Sequence, residues 1–309
     1  MRVQIGVLGF GATGGLFATL LAQHNEVHVL ARGARGAHAL TSGLRLTGHA
    51  DLEVALPAER VHLLDAPGAT PPTLTMDAVL LCVKAHQVEE VAAMLPSLLT
   101  PEGVVAYLGN GLGVVERLAR AVPGHVVAAS STHGAMRGDG STSVWTGRGE
   151  VALGAWPGGA PYASIEALAD CLDASGLSAR IVDDARRQIW SKALLNIAIN
   201  PLCALAGIRN GEMLHTPLFD AAVGLLMEAE LVGRRHGVDL PSMDELVTTL
   251  VDVLDATAEN RCSMLEDVRV GRPTEIDALN GHIVNLAEQH GLMATQNAQV
   301  TALIHALRR

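Results

Sequence analysis

The hydrophobic period of this chain changes along its length. The first part alternates short apolar runs with turn-forming residues, whereas the last part repeats apolar positions every three or four residues. V-Q-I-G-V-L, from position 3 to 8, is a continuous apolar run of strand length, the pattern of a strand buried on both faces. Gly9-Phe10-Gly11-Ala12-Thr13-Gly14 follows at once. A helix is then predicted from Gly15 to Gln23 and a second strand over 26–32. Further strands are predicted over 78–83, 104–108 and 126–130, the first of them preceded by a proline-rich loop at Pro67–Pro72. Segments 142–146 and 150–154 bracket Thr146-Gly147-Arg148-Gly149 and predict a hairpin. From about Ile165 the pattern is helical to the end. One helix covers 184–200, with Pro201 expected to end or kink it, and a last amphipathic helix covers roughly 296–308. Gly271 and Pro273 break one helix and start another, with Thr274 and Asp277 resembling a capping box. Glu275 then falls in a first helical turn, and Asn260 and Ser263 lie three apart on the preceding helix. The fold class is α/β: a Rossmann-type domain over 1–183, followed by an all-helical domain over 184–309.

Strand, G-x-G-x-x-G turn, helix and strand within about thirty residues is the pattern of a dinucleotide site. Gly9 permits the tight turn, Gly11 lets backbone approach a pyrophosphate, and Gly14 lets helix and strand pack closely. The helix start offers free N–H groups and positive dipole to phosphate. Residues Gly9, Phe10, Gly11, Ala12, Thr13 and Gly14 are therefore cofactor-binding candidates. At the end of the second strand, where NAD enzymes place a carboxylate, stands Arg32, with Arg35 close behind. A guanidinium there suits a 2′-phosphate, so NADP(H) is the expected cofactor.

Composition sharpens the search for chemistry. Lys84 and Lys192 are the only lysines against twenty arginines. Arginine stays protonated in proteins, while a lysine can release a proton when its pKa is lowered. Lys84 ends a predicted strand, at the edge that lines the ligand crevice of an open α/β sheet. Asn110, in N-G-L-G, stands at the same edge, as an amide for a substrate carbonyl or the cofactor, or as an ordinary turn residue. Lys192, Asn196 and Asn200 are spaced by four and share one helix stripe, which makes a polar pocket wall or a hydrogen-bonded helix contact. The net charge of −10 with no basic run argues against nucleic acid. Four scattered cysteines fit reduced thiols in a cytoplasm, and thirteen histidines lack metal-ligand spacing, so no metal is expected. Glycines interrupt the apolar N-terminus, and no other run reaches membrane-spanning length. Neither a signal peptide nor a membrane partner is expected.

V-K-A-H-Q-V, N-G-L-G, S-T-H-G-A-M-R-G-D-G, W-S-K-A-L-L-N-I-A-I-N-P-L-C-A-L and S-M-L-E-D-V-R-V-G-R-P-T-E-I-D-A-L-N-G together resemble the ketopantoate reductases, from the glycine motif to about Gly291. The resemblance implies a Rossmann domain, an all-helical domain of the 6-phosphogluconate dehydrogenase C-terminal-like kind, and a site in the cleft between them. It implies NADPH-dependent reduction of 2-dehydropantoate to (R)-pantoate, on the route to pantothenate and coenzyme A. Lys192 matches the proton donor and Glu275 the active-site glutamate. Asn196, Asn200, Asn210, Asn260 and Ser263 match substrate-binding positions, and Asn110 is also placed there. Lys84, Asn110 and Ala135 match positions on the nicotinamide side, with Glu275 also counted toward the cofactor. Gly109 departs from the glutamine expected before N-G. Two alternatives stay open: a reductase of the same fold acting on another 2-ketoacid or ketone, and a non-catalytic NADPH-binding sensor. The Ala/Leu-rich helical part is compatible with a homodimer.

Overall fold

The computed structural model describes residues 3–65 and 74–307, so the expected proline-rich loop at Pro67–Pro72 lies outside the described residues. The chain divides into two compact units. One runs to Gly109 and resumes over Val114–Ala185; the other takes Asn110–Gly113 and everything from Arg186 onward.

The first unit is built on an eight-stranded sheet. Its order is Ala179–Ile181, Val151–Gly154, Val126–Ser131, Leu99–Tyr107, Met76–Leu81, Gln4–Leu8, Glu26–Ala31, Val61–Leu63. Six neighbouring strands, from Val126–Ser131 to Val61–Leu63, run parallel. Only Val151–Gly154 enters antiparallel to its neighbour Val126–Ser131, and Ala179–Ile181 then pairs parallel to it. Ile5, Val7 and Leu8 are fully buried, as the unbroken apolar run requires. The chain leaves Gln4–Leu8 toward Glu26–Ala31 on one side and returns to Met76–Leu81 on the other. The carboxyl end of Gln4–Leu8 is thus a topological switch point, where open α/β sheets bind ligands.

The expected hairpin is not formed. Thr142–Gly147 joins a separate four-stranded sheet of order Leu52–Val54, Leu44–Gly48, Thr142–Gly147, Gly134–Arg137, while Val151–Gly154 enters the large sheet. Three residues separate the two strands, but they do not pair with each other: Thr142–Gly147 pairs antiparallel with the nearby Gly134–Arg137 and parallel with Leu44–Gly48, and Val151–Gly154 lies between Val126–Ser131 and Ala179–Ile181. The crossing is pinned instead: Gly149 N–H donates to His133 Nδ1 (3.1 Å), and His133 Nε2 pairs with the Leu177 carbonyl (2.9 Å). The small sheet packs on the helix Ala12–Leu21. That helix begins three residues before the expected Gly15, with Gly14 and Gly15 buried inside it. Beyond Ile165, where only helices were expected, the strand Ala179–Ile181 still belongs to the sheet.

The second unit is helical among its described residues: Ala185–Ala206, Leu218–Arg235, Met243–Ala256, Ser263–Arg269, Asn280–Gln289 and Thr295–Ala306, with short 3-10 turns. Trp190, Leu194, Ile197, Leu226, Leu250, Ile283 and Ile304 form its core. Pro201 does not end its helix, which continues to Ala206. A proline lacks the N–H that would bond the carbonyl four residues back, here Ile197. That carbonyl instead accepts the Asn280 side-chain amide at 3.1 Å. Asn280, fully buried, also donates to Asn297 Oδ1 at 3.0 Å. Ala185–Ala206 is long and apolar enough to cross a membrane by length and composition, but Arg186, Arg187 and Lys192 interrupt it, so the expectation of no charge-free run of that length stands. Most of it is buried in the core of this unit.

The Thr274–Asp277 capping box is not formed either. Glu275 precedes a 3-10 turn, Ile276–Ala278, that has no side-chain cap, and Asp277 Oδ1 faces His305 Nε2 at 2.7 Å. Asn260 lies in the connection after Met243–Ala256 rather than on a helix, and Ser263 opens Ser263–Arg269.

Candidate active site

The glycine turn sits at the switch point, and each glycine has its own reason. Gly9 has φ +101°, and a Cβ there would lie 2.8 Å from the Cys82 backbone. A Cβ on Gly14 would lie 2.0 Å from the Gly9 carbonyl oxygen, so helix and strand could not close up. A Cβ on Gly11 would meet only Arg137 Nη2, at 3.4 Å. Gly11 is therefore open on the side where a phosphate would approach, with a guanidinium beside it. The helix that starts at Ala12 has no acidic residue in its first turn and no side-chain cap, so its positive end is uncancelled. This cradle fits a dinucleotide pyrophosphate.

The two arginines after the second strand have different tasks. Arg35 donates through Nε to the Phe10 carbonyl (3.2 Å) and through Nη1 to the carbonyls of Thr142 (2.9 Å) and Gly140 (3.1 Å). Its guanidinium lies 5.1 Å from the centre of the buried Phe10 ring. It fastens the glycine turn to the small sheet. Burial, then the neighbouring charge of Arg137, pushes its pKa down to about 10. Arg32 instead faces outward in a two-point ion pair with Glu90, 3.0 Å and 2.6 Å. Hydrogen bonding to Glu90 raises the Arg32 pKa and lowers that of Glu90. Lys84 follows the strand Met76–Leu81 and precedes the turn Ala85–Gln87, and its backbone N–H donates to Gln87 Oε1 at 3.2 Å. Ala135 stands on Gly134–Arg137 opposite Trp145.

In the helical unit, Lys192 and Asn196 lie one turn apart on Ala185–Ala206. Asn110 links Asn196 to Glu275. Asn196 Nδ2 donates to Asn110 Oδ1 at 3.5 Å, and Asn110 Nδ2 donates to Glu275 Oε2 at 3.1 Å. Leu112 N–H donates to the Ala278 carbonyl at 2.8 Å, and Ala278 N–H to the Glu275 carbonyl at 3.0 Å, so the Asn110–Gly113 loop is docked on the turn that follows Glu275. Gly113, with φ +74°, is forced: a Cβ would lie 2.6 Å from the His282 ring. Burial pushes the Lys192 pKa down to about 8, against the opposing pull of Glu275. The departure at Gly109 also has a cause: a Cβ there would fall 2.4 Å from Cζ of Tyr107, whose buried ring takes the space of a longer side chain.

Asn200, Asn210, Asn260 and Ser263 gather in a second corner of this unit. Asn210 N–H donates to the Asn260 carbonyl at 3.0 Å, and Asn210 Nδ2 to Thr257 Oγ1 at 2.9 Å. Asn210 Oδ1 is buried with no partner among the described residues, a cost that a ligand donor would remove. The thiol of Cys262, which immediately precedes Ser263, donates to the Asn200 carbonyl at 3.5 Å. Sequence reasoning missed Arg137, Glu90 and the docking of Leu112. Arg137 lay within a quoted motif but was given no role. Glu90 is 58 residues from Arg32, and nothing local announces the pair.

Two family models match: "Ketopantoate reductase PanE/ApbA" over residues 5–158 and "Ketopantoate reductase PanE/ApbA C terminal" over 184–308. A 2-dehydropantoate 2-reductase of Archaeoglobus fulgidus is 33% identical, with 99% of each chain covered. Among solved structures, a probable 2-dehydropantoate 2-reductase of Bacillus subtilis is 27% identical, covering 99% of this chain and all of that one, with a TM-score of 0.77. D-mandelate dehydrogenase in complex with NADH is 26% identical over 98% of each chain, with a TM-score of 0.84.

Proposed function

The chain belongs to the ketopantoate reductase family of oxidoreductases, and from that premise we propose that it reduces 2-dehydropantoate to (R)-pantoate with NADPH, Lys192 supplying the proton. One observation carries the assignment of the acid: a lysine whose pKa burial lowers to about 8 against the charge of Glu275, a carboxylate that Asn110 joins to Asn196 one turn along the same helix. Gly9–Gly14 would hold the cofactor pyrophosphate, Arg32 its 2′-phosphate, and Lys84 and Ala135 the nicotinamide side, and the bound cofactor would supply the hydride for the 2-keto carbon. Negative charge then develops on the keto oxygen. The Lys192 ammonium stabilises that charge and gives up its proton as the alkoxide forms. A donor with a pKa near the working pH is mostly charged beforehand yet transfers readily, which an arginine cannot do.

Glu275 favours the charged form of Lys192 against desolvation, and Asn110 holds that carboxylate by its amide. Asn196, Asn200, Asn210, Asn260 and Ser263 offer amides and a hydroxyl to the substrate carboxylate and hydroxyl. Residues 1–183 are the NADP-binding domain and 184–309 the substrate and catalytic domain, to which the Asn110–Gly113 loop adds an amide. Four free thiols support a cytoplasmic setting, and the Ala/Leu-rich helical part is compatible with a homodimer.

The fold shared with D-mandelate dehydrogenase favours one second reading, reduction of a different 2-ketoacid. NADPH oxidation with ketopantoate, ketoisovalerate, oxaloacetate and the keto form of mandelate in parallel separates the two. Ketopantoate is expected to give the highest kcat/KM. A higher value for any of the others transfers the assignment to that acid.

A further inference from the structure

Building on the NADPH reading above, we propose that Glu90 sets how strongly this enzyme prefers a phosphorylated adenosine ribose, by competing with the cofactor for Arg32. Arg32 follows the strand Glu26–Ala31, the position from which a dinucleotide fold reads the ribose. Its guanidinium meets Glu90 fork to fork, Nη1 to Oε2 at 3.0 Å and Nη2 to Oε1 at 2.6 Å. A phosphate uses the same paired donors, because two of its oxygens match the guanidinium fork as a carboxylate does. Both side chains are substantially exposed, 39% for Arg32 and 59% for Glu90, so the pair is open to exchange.

A second carboxylate faces the same corner. Asp65 Oδ2 accepts the N–H of Gly33 at 2.8 Å, at the start of the helix Gly33–Ser42. Both features that attract an anion here, the guanidinium and the helix start, therefore already face a carboxylate of the chain itself. A 2′-phosphate must displace Glu90 to reach Arg32, and it carries charge of the same sign as Glu90 and Asp65. An unphosphorylated ribose has no such competitor, because its 2′-hydroxyl can donate to a carboxylate, as in enzymes that use NAD. Glu90 thus weakens the phosphorylated form selectively and narrows the preference that Arg32 creates. Exposed ion pairs contribute little, so the effect is modest, about two- to five-fold in affinity.

The test is calorimetric binding of adenosine 2′,5′-bisphosphate and of 5′-AMP to the full chain, as wild type, Glu90→Gln and Arg32→Ala. Glu90→Gln should tighten the bisphosphate about two- to five-fold at low ionic strength without tightening AMP, and added salt should shrink the gain. Arg32→Ala should lose most of the preference for the bisphosphate. If Arg32→Ala loses it but Glu90→Gln leaves the ratio of the two affinities unchanged, the role of Glu90 is overturned and the 2′-phosphate reading stands. If Arg32→Ala keeps the preference, both are overturned.

Discussion

Lys192 and Lys84 are the only lysines in the chain, and the fold gives them different surroundings. Lys84 follows a strand of the sheet unit, whereas Lys192 sits on a core helix, with burial pushing its pKa from 10.5 down to about 8. The sign of the pH dependence follows. A lowered pKa means that the ammonium is intact below about pH 8 and lost above it. With Lys192 as the proposed acid, kcat/KM for ketone reduction should be flat through pH 7 and fall about ten-fold per pH unit above 8. In the direction of alcohol oxidation, which needs the neutral amine, it should rise to a plateau above 8. Profiles in both directions check this, and matching profiles would remove Lys192 from proton transfer. At this scale much was legible. The four-residue spacing put Lys192, Asn196 and Asn200 on one stripe, and the structure keeps them on one helix. The contacts of Asn110 with Asn196 and Glu275 were not legible, since they join residues 86 and 165 positions apart. The arginine expected for the cofactor was named, but its carboxylate competitor was not.

Elements were legible where local pattern decides them and misread where distant partners do. The buried strand Gln4–Leu8 and the turn after it follow from an unbroken apolar run and glycine spacing. The hairpin failed because the alternation in Thr142–Gly147 records a buried face, not which strand lies alongside. Pro201 is the other instructive case. Proline at that position ends a helix in isolation, yet here Asn280, 79 positions after Pro201, supplies the donor that the Ile197 carbonyl lacks. Asn280→Ala should therefore destabilise the protein by roughly 1–3 kcal/mol, the usual cost of leaving a buried polar group unpaired. In a Pro201→Ala background the helix regains its own N–H, and the same substitution should cost about 1 kcal/mol less. Equilibrium urea unfolding of the four-member cycle measures this. Strict additivity would mean that Asn280 does not serve the proline.

At the scale of the whole molecule, the change from strand-length runs to helical spacing marked the two units. The excursion of Asn110–Gly113 into the helical unit was invisible, because its local sequence reads as a simple N-G turn. That excursion matters chemically, since it brings the amide that holds Glu275. Family membership and the cradle formed by the glycine turn point to hydride reduction of a 2-ketoacid, and the lowered pKa of Lys192 supports the proposal that this lysine is the acid. The most direct test is steady-state NADPH oxidation with ketopantoate by the wild type and Lys192→Arg, alongside NADPH binding to each. The wild type should turn over, and the variant should lose about 10²- to 10⁴-fold in kcat while binding NADPH with unchanged affinity. Near-normal turnover by the variant, or no turnover of ketopantoate by the wild type, would contradict the account.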